Sequence, residues 1–250
     1  MTSQTIGTRE QAAAARAELL AREKEHTRMG DELAQQRREL PWVRVEKDYR
    51  LQGEDGGRHP LAELFDGRSQ LLVYHFMYGP SYQNGCPTNS SIVDAIDGVV
   101  PHLNARDVTM LLVSSAPLAT LQAYKRRMGW SMPWASSYGS DFNADLGYCS
   151  SEEKVREWLT PVLDTMPPIV AHNANATGTD PFGYLTETHG FSAFALEDGQ
   201  VYETYSTGGR GVEFLMSYYA ILDRTPVGRD EVAGFQTWLR RHDEYESHGA

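Results

Sequence analysis

The residue best suited to chemistry is Cys86. It follows an apolar run, "QLLVYHFMYG" at 70–79, and a short loop, and it is joined to Pro87 ahead of a segment with helical character. A cysteine at a helix start faces unpaired backbone N–H groups and the positive end of the helix dipole, both of which favour the thiolate. The expectation is a thiol pKa below the ordinary value of about 8.5. Such a thiolate attacks a disulfide or a peroxide, or binds a soft metal. The competing reading is a small buried core residue. Cys149 is the other of two cysteines, far along the chain and outside any CxxC pair, so no intramolecular disulfide is expected.

Histidines and arginines complete the reactive set. His75 lies between Tyr74 and Phe76 in the apolar run. It is expected to point beneath the cysteine loop as a base or ligand, the alternative being a buried structural histidine. His172 falls in the segment 161–189, which reads as irregular, and can fold over the site. One cysteine with two or three histidines suits copper or zinc. Arg210 follows "STGG", a flexible turn able to aim backbone N–H groups at an anion. Arg126 and Arg127 are further anion partners. Tyr78, Tyr82, Trp130, Trp134 and Tyr138 form an aromatic set at the expected mouth of the site, fit for an apolar small substrate or for plain packing. The remaining histidines stand in polar surroundings.

The elements that must position these residues alternate in kind. Residues 8–39 are rich in Ala, Glu, Arg and Leu and predict a charged N-terminal helix, with Gly30-Asp31 a candidate break and Pro41 beyond its end. "WVRV" at 42–45 predicts a short strand. The runs 70–77 and 108–114 predict strands buried on both faces, and 70–77 is placed at the centre of the sheet. A helix interrupted by Gly98 and Pro101 lies between them. Residues 117–128 predict a helix with Pro117 in its first position. "FSAFALEDGQVYETYS" predicts a hairpin of 191–196 with 201–206 around Asp198-Gly199. Residues 211–222 predict a helix. Three segments follow: a helical extension at 1–39, an α/β domain at 40–231 and a polar tail at 232–250.

Composition narrows the function. Hydrophobic residues make up 40% and charged residues 23%, an ordinary globular mix. Asp and Glu outnumber Lys and Arg by 34 to 23, for a net charge of −11. That disfavours nucleic acid and anionic lipid as partners. No apolar run approaches the roughly 20 residues that span a bilayer, and Met1 to Arg9 lack a signal-peptide core, so a cytoplasmic location is expected.

The order buried strand, loop, Cys-Pro and helix resembles the thioredoxin superfamily. The length of the loop and Cys86-Pro87-Thr88 are similar to the peroxidatic segment of peroxiredoxins. The segments "LPWVRVEKDYRL", "YHFMYGPSYQNGCP", "HLNARDVTMLLVSSAPL" and "YKRRMGWSMPWASSYGSDFNADLG" resemble a bacterial thioredoxin-like family known as domain of unknown function 899, as does "ETYSTGGRG" with the later "LDRTPVGRDE". The resemblance implies a thioredoxin-like mixed central sheet flanked by helices, with an added N-terminal helix. It also implies a site around Cys86, with Asn89 where family members commonly carry a second cysteine. Aligning the hairpin puts Phe191 in the slot of the thioredoxin cis-proline. His189 and Ser192 flank it, and His189 joins Cys86 and His172 as a candidate ligand.

Three functions follow. The first is an oxidoreductase acting through Cys86 alone on a small molecule, a peroxide or a disulfide, with His75, Asn89 and Arg210 assisting, Tyr82, Trp130, Tyr138, Phe191 and Ser192 holding substrate, and a thiol as reductant. The second is a copper- or zinc-dependent oxidase or oxygenase using Cys86, His189 and His172. The third is a non-catalytic binding protein. A homodimer through the N-terminal helix is a further expectation.

Overall fold

The computed structural model describes residues 5–232 and 234–245. The chain divides into two units, residues 1–41 and 42–250. The first is one helix, α1 (Arg9–Arg38), none of whose residues is buried. Thr8 starts it with a reciprocal cap: its hydroxyl accepts the Gln11 N–H and the Gln11 side chain accepts the Thr8 N–H. The break expected at Gly30-Asp31 does not occur. One glycine costs a helix about 1 kcal/mol, too little to interrupt a run of strong helix formers on both sides.

The second unit is built on an eight-stranded sheet. Its strands are β1 (Val43–Arg44), β2 (Arg50–Gln52), β3 (Arg58–Pro60), β4 (Gln70–His75), β5 (Val108–Ser114), β6 (Trp134–Ser136), β7 (Gly190–Glu197) and β8 (Gln200–Gly208). Their spatial order is β1-β8-β7-β4-β5-β6-β2-β3. β4 pairs parallel with β5 and antiparallel with β7, and β8 closes the hairpin on β7. A parallel pair needs a crossover, supplied here by α2 (Pro87–Ile96) and α3 (Val100–Asn104). The order β8-β7-β4-β5 is the thioredoxin-like arrangement that the resemblance implied. At the hairpin, Asp198 and Gly199 both take positive φ, 50° and 77°, as a two-residue turn between twisted strands requires.

The remaining helices are α4 (Leu118–Met128), α5 (Phe142–Asp145), α6 (Glu152–Leu159), α7 (Pro168–Thr177), α8 (Pro181–Tyr184) and α9 (Ser217–Leu222). Pro117 precedes α4 as its cap and is not its first residue. The segment 161–189 is helical where an irregular loop was expected. Pro168 opens α7, Gly178 at φ 75° ends it, and Asp180 caps α8 with its side chain on the Gly183 N–H. The clustered Pro, Gly, Asn and Asp that read as loop are the start and stop signals of these short helices. Residues 211–222 are split between a 3-10 stretch, Gly209–Leu215, and α9.

Two hydrophobic layers pack on the sheet, and alternation along β4 decides which side chains enter each. Tyr74 joins Phe76, Cys86, Ile92 and Leu121 in one layer. Leu71 and Val73 join Leu111, Phe142 and Phe194 in the other. The segment after 232, expected to be a polar tail, belongs to the second unit. Leu239 and Arg241 within it are buried.

Candidate active site around Cys86

Cys86 occupies the cap position of α2, with Pro87 as its first residue. The thiol is fully buried. Among the described residues two side chains hydrogen-bond to it. The Tyr184 hydroxyl lies 3.4 Å from Sγ, and Asn89 Nδ2 donates to Sγ at 3.6 Å. The other end of the Asn89 amide accepts the Met77 N–H at 2.8 Å. Asn89 therefore ties the thiol to the backbone leaving β4. Asn173 on α7 donates to the Tyr184 hydroxyl at 3.0 Å and to Thr88 Oγ1 at 3.3 Å, while its own Oδ1 is buried without a partner among the described residues. Tyr82 donates its hydroxyl to the Tyr184 carbonyl.

The loop before the cysteine is braced from the far end of the chain. Arg241 is 3% exposed. It donates to the Gly85 carbonyl at 2.8 Å, the Ala176 carbonyl at 2.7 Å, the Tyr124 hydroxyl at 2.9 Å and Glu244 at 2.7 Å. The bonds to the Gly85 carbonyl and the Tyr124 hydroxyl satisfy buried acceptors that would otherwise cost free energy.

The expected lowering of the Cys86 pKa does not hold. Burial pushes the thiol above its ordinary value. The Tyr184 hydroxyl, the backbone N–H groups of Asn89 and Thr88, and the Arg241 charge oppose that rise without overcoming it. The resting group is a neutral thiol. Cys149 is also a free cysteine, pushed up to about 11 by burial and by the nearby Glu187 carboxyl.

A cleft of about 270 Å³ opens above the thiol's neighbours. Asn89, Asn173 and Tyr184 lie on its lining together with Met77, Glu187 and His189, and apolar walls come from Ile92, Ile169, Val170, Leu185, Val212 and Met216. Glu187 is 3% exposed, and burial pushes its carboxyl up to about 8. Its Oε2 accepts the Ser115 hydroxyl at 3.0 Å.

Several expected site residues lie elsewhere. His75 points to the opposite face of the sheet from Cys86, because its side alternates with Tyr74 and Phe76. There it stacks on Tyr148 at 3.7 Å and meets Asn143 and Ser192 at 3.3 and 3.0 Å. Burial lowers it to about 3, so it is neutral. Ser192 shares that face and is bound to His75, not to the cleft. Phe191 is on the Cys86 face, packed edge-on against Phe214. Trp130 is core, its indole N–H on Asp94 at 2.7 Å. Tyr138 is 49% exposed on another edge, near Arg58. Tyr82 is buried and belongs to the site through Tyr184.

Arg210 stands at the cleft's rim with its charge spent on Glu213 at 2.6 Å. Arg127 is paired with Asp243 and Glu244. His189 lines the cleft, and its Nε2 lies 3.2 Å from the Gly209 carbonyl. Burial lowers its pKa. His172 is on α7, where Arg240 donates to its Nε2 at 3.0 Å. Among the described residues no three His, Cys, Asp or Glu side chains converge as a metal ion requires, so Cys86, His189 and His172 are not gathered into one ligand set.

Four functional candidates were missed in the sequence: Asn173, Tyr184, Glu187 and Arg241. The first three sit in the segment read as irregular and the fourth in the supposed tail. A buried arginine has no local sequence signature. The Pro and Gly positions that bound α7 and α8 were the one available signal for the other three.

A comparison with functionally curated proteins gives no match. Among solved structures, the peroxidoxin BcpB of Mycobacterium tuberculosis is 10% identical, with 71% of this chain and 93% of that one covered and a TM-score of 0.40. The bacterioferritin comigratory protein of Xanthomonas campestris, described for its alkyl peroxide reduction activity, is 14% identical over 72% of this chain and 96% of that one, with a TM-score of 0.36. A family model described as bacterial protein of unknown function (DUF899) matches residues 1–245, and the chain belongs to that family.

Proposed function

We propose that this protein is an oxidoreductase that reduces a peroxide through Cys86 alone, with external thiols restoring the cysteine. One observation carries the reading: the Cys86 thiol lies at the start of α2 beneath a mainly apolar cleft, held by two hydrogen-bonding side chains, Tyr184 and Asn89. No second thiol is on hand at position 89. Sulfur attacks one peroxide oxygen, the O–O bond breaks, and the other oxygen leaves as an alcohol or water once protonated. Sulfur is oxidised by two electrons to a sulfenic acid. One external thiol then displaces water to form a mixed disulfide, and a second releases Cys86 as the thiol.

The test is consumption of cumene hydroperoxide with dithiothreitol as reductant. Cys86→Ser abolishes it and Cys149→Ser leaves it within about twofold. Equal turnover in Cys86→Ser and parent overturns the reading.

A further inference from the structure

The chemistry proposed for Cys86 moves a proton from the thiol to a departing oxygen, and among the described residues neither side chain hydrogen-bonded to Sγ is a carboxylate or an imidazole. Glu187 is a buried carboxyl on the lining of the same cleft as Asn89, Asn173 and Tyr184. The Gly79 backbone lies against it, so closely that a Cβ there would come within 3.0 Å of Glu187 Cγ. A hydrogen-bond chain ends on this carboxyl. The Ser115 hydroxyl donates to Oε2 at 3.0 Å, Asn143 Nδ2 donates to Ser115 Oγ at 3.3 Å, and His75 Nδ1 lies 3.3 Å from Asn143 Oδ1. Ser192 Oγ is 3.0 Å from the other ring nitrogen. A neutral His75 protonated at Nδ1 gives the bonds from His75 through Asn143 and Ser115 the same sense: each donor points toward Glu187.

We propose that Glu187 is the proton-transfer residue of the cleft, positioned by a buried relay through Ser115 and Asn143 to His75 on the opposite face of the sheet. This rests on the reading of Cys86 as the peroxide-reducing thiol. A peroxide in the cleft meets both Tyr184 and Glu187. As sulfur attacks, the Tyr184 hydroxyl bonds to the forming thiolate, and ionised Glu187 takes up the released proton within the cleft and delivers it to the departing oxygen. The S–O bond forms as the O–O bond breaks, and Glu187 ends as it began. Donors aimed at the carboxyl favour its ionised form. The other titratable groups near it among the described residues are Tyr82, Cys149, whose backbone pairs with Glu187, and His189, Arg210 and Glu213 on the cleft lining.

The experiment follows Cys86 oxidation by cumene hydroperoxide in a single turnover from pH 5 to 10, with iodoacetamide alkylation of Cys86 beside it. Iodide needs no proton to leave. In the parent, the oxidation rate rises with a midpoint near 8. In Glu187→Gln that inflection is gone and the rate at pH 7.5 falls about 100-fold, the usual worth of a positioned acid–base group, while alkylation, which needs the thiol proton removed but none delivered to the leaving group, falls less than oxidation does. Ser115→Ala keeps the inflection and moves it to higher pH, because a hydrogen bond to the carboxylate is lost. A parent that alkylates but never reacts with the peroxide overturns the peroxide reading itself. A reactive parent whose rate and inflection survive in Glu187→Gln overturns the role of Glu187. If Glu187→Gln does not fold, an unmoved inflection in Ser115→Ala overturns it.

Discussion

Asn89 holds the Cys86 sulfur with one end of its amide, at 3.6 Å, and the Met77 N–H with the other, at 2.8 Å. Asn89 thus joins α2, the strand exit and the thiol. Asn89→Ala leaves a buried backbone N–H unsatisfied, and a loss of about 1–3 kcal/mol of unfolding free energy is expected in urea titration. Asn89→Cys supplies a second thiol at CxxC spacing. Under mild oxidant its intact mass falls by two hydrogens, and the parent's mass does not.

Tyr184→Phe removes the hydroxyl that favours the thiolate. The alkylation rate of Cys86 then reaches its midpoint at a higher pH than in the parent, whose own midpoint already lies above the ordinary thiol value. An unchanged midpoint in Tyr184→Phe contradicts this assignment.

His75 and Glu187 set opposite pH limits on stability. His75 is held near 3 when folded and titrates at about 6.5 when unfolded. The unfolded chain binds the extra proton between those values, so stability drops as pH falls from 6.5 toward 3. His75→Phe flattens that acid limb in urea midpoints taken across pH. Glu187 is held near 8 against an ordinary 4.5. There the folded chain binds the extra proton, so stability drops as pH rises from 4.5 through 8, by a few kcal/mol in all. Glu187→Gln removes that limb and leaves the acid one.

Arg241 is the buried cation of the site. Arg241→Met strands the Gly85 and Ala176 carbonyls, and a loss of about 3–5 kcal/mol is expected in denaturant titration. The thiol also loses a positive charge, so its alkylation midpoint rises further.

The sequence determined the central strands, the hairpin and the position of the cysteine, because each rests on neighbours in the chain. β4 and β5 follow from apolar runs, the β7–β8 turn from Asp198-Gly199, and the cap position of Cys86 from Cys-Pro ahead of a helix. The family resemblance added the thioredoxin-like order of strands. Tertiary structure decided what surrounds the thiol. Alternation along β4 and β7 sends His75 and Ser192 to the far face, since successive side chains on a strand point in opposite directions. Burial overrides the helix start and keeps Cys86 protonated, because desolvation depends on everything packed around the sulfur. Tyr184, Asn173, Glu187 and Arg241 reach the site from 87 residues or more beyond Cys86 in the chain, and no local pattern marks such an approach.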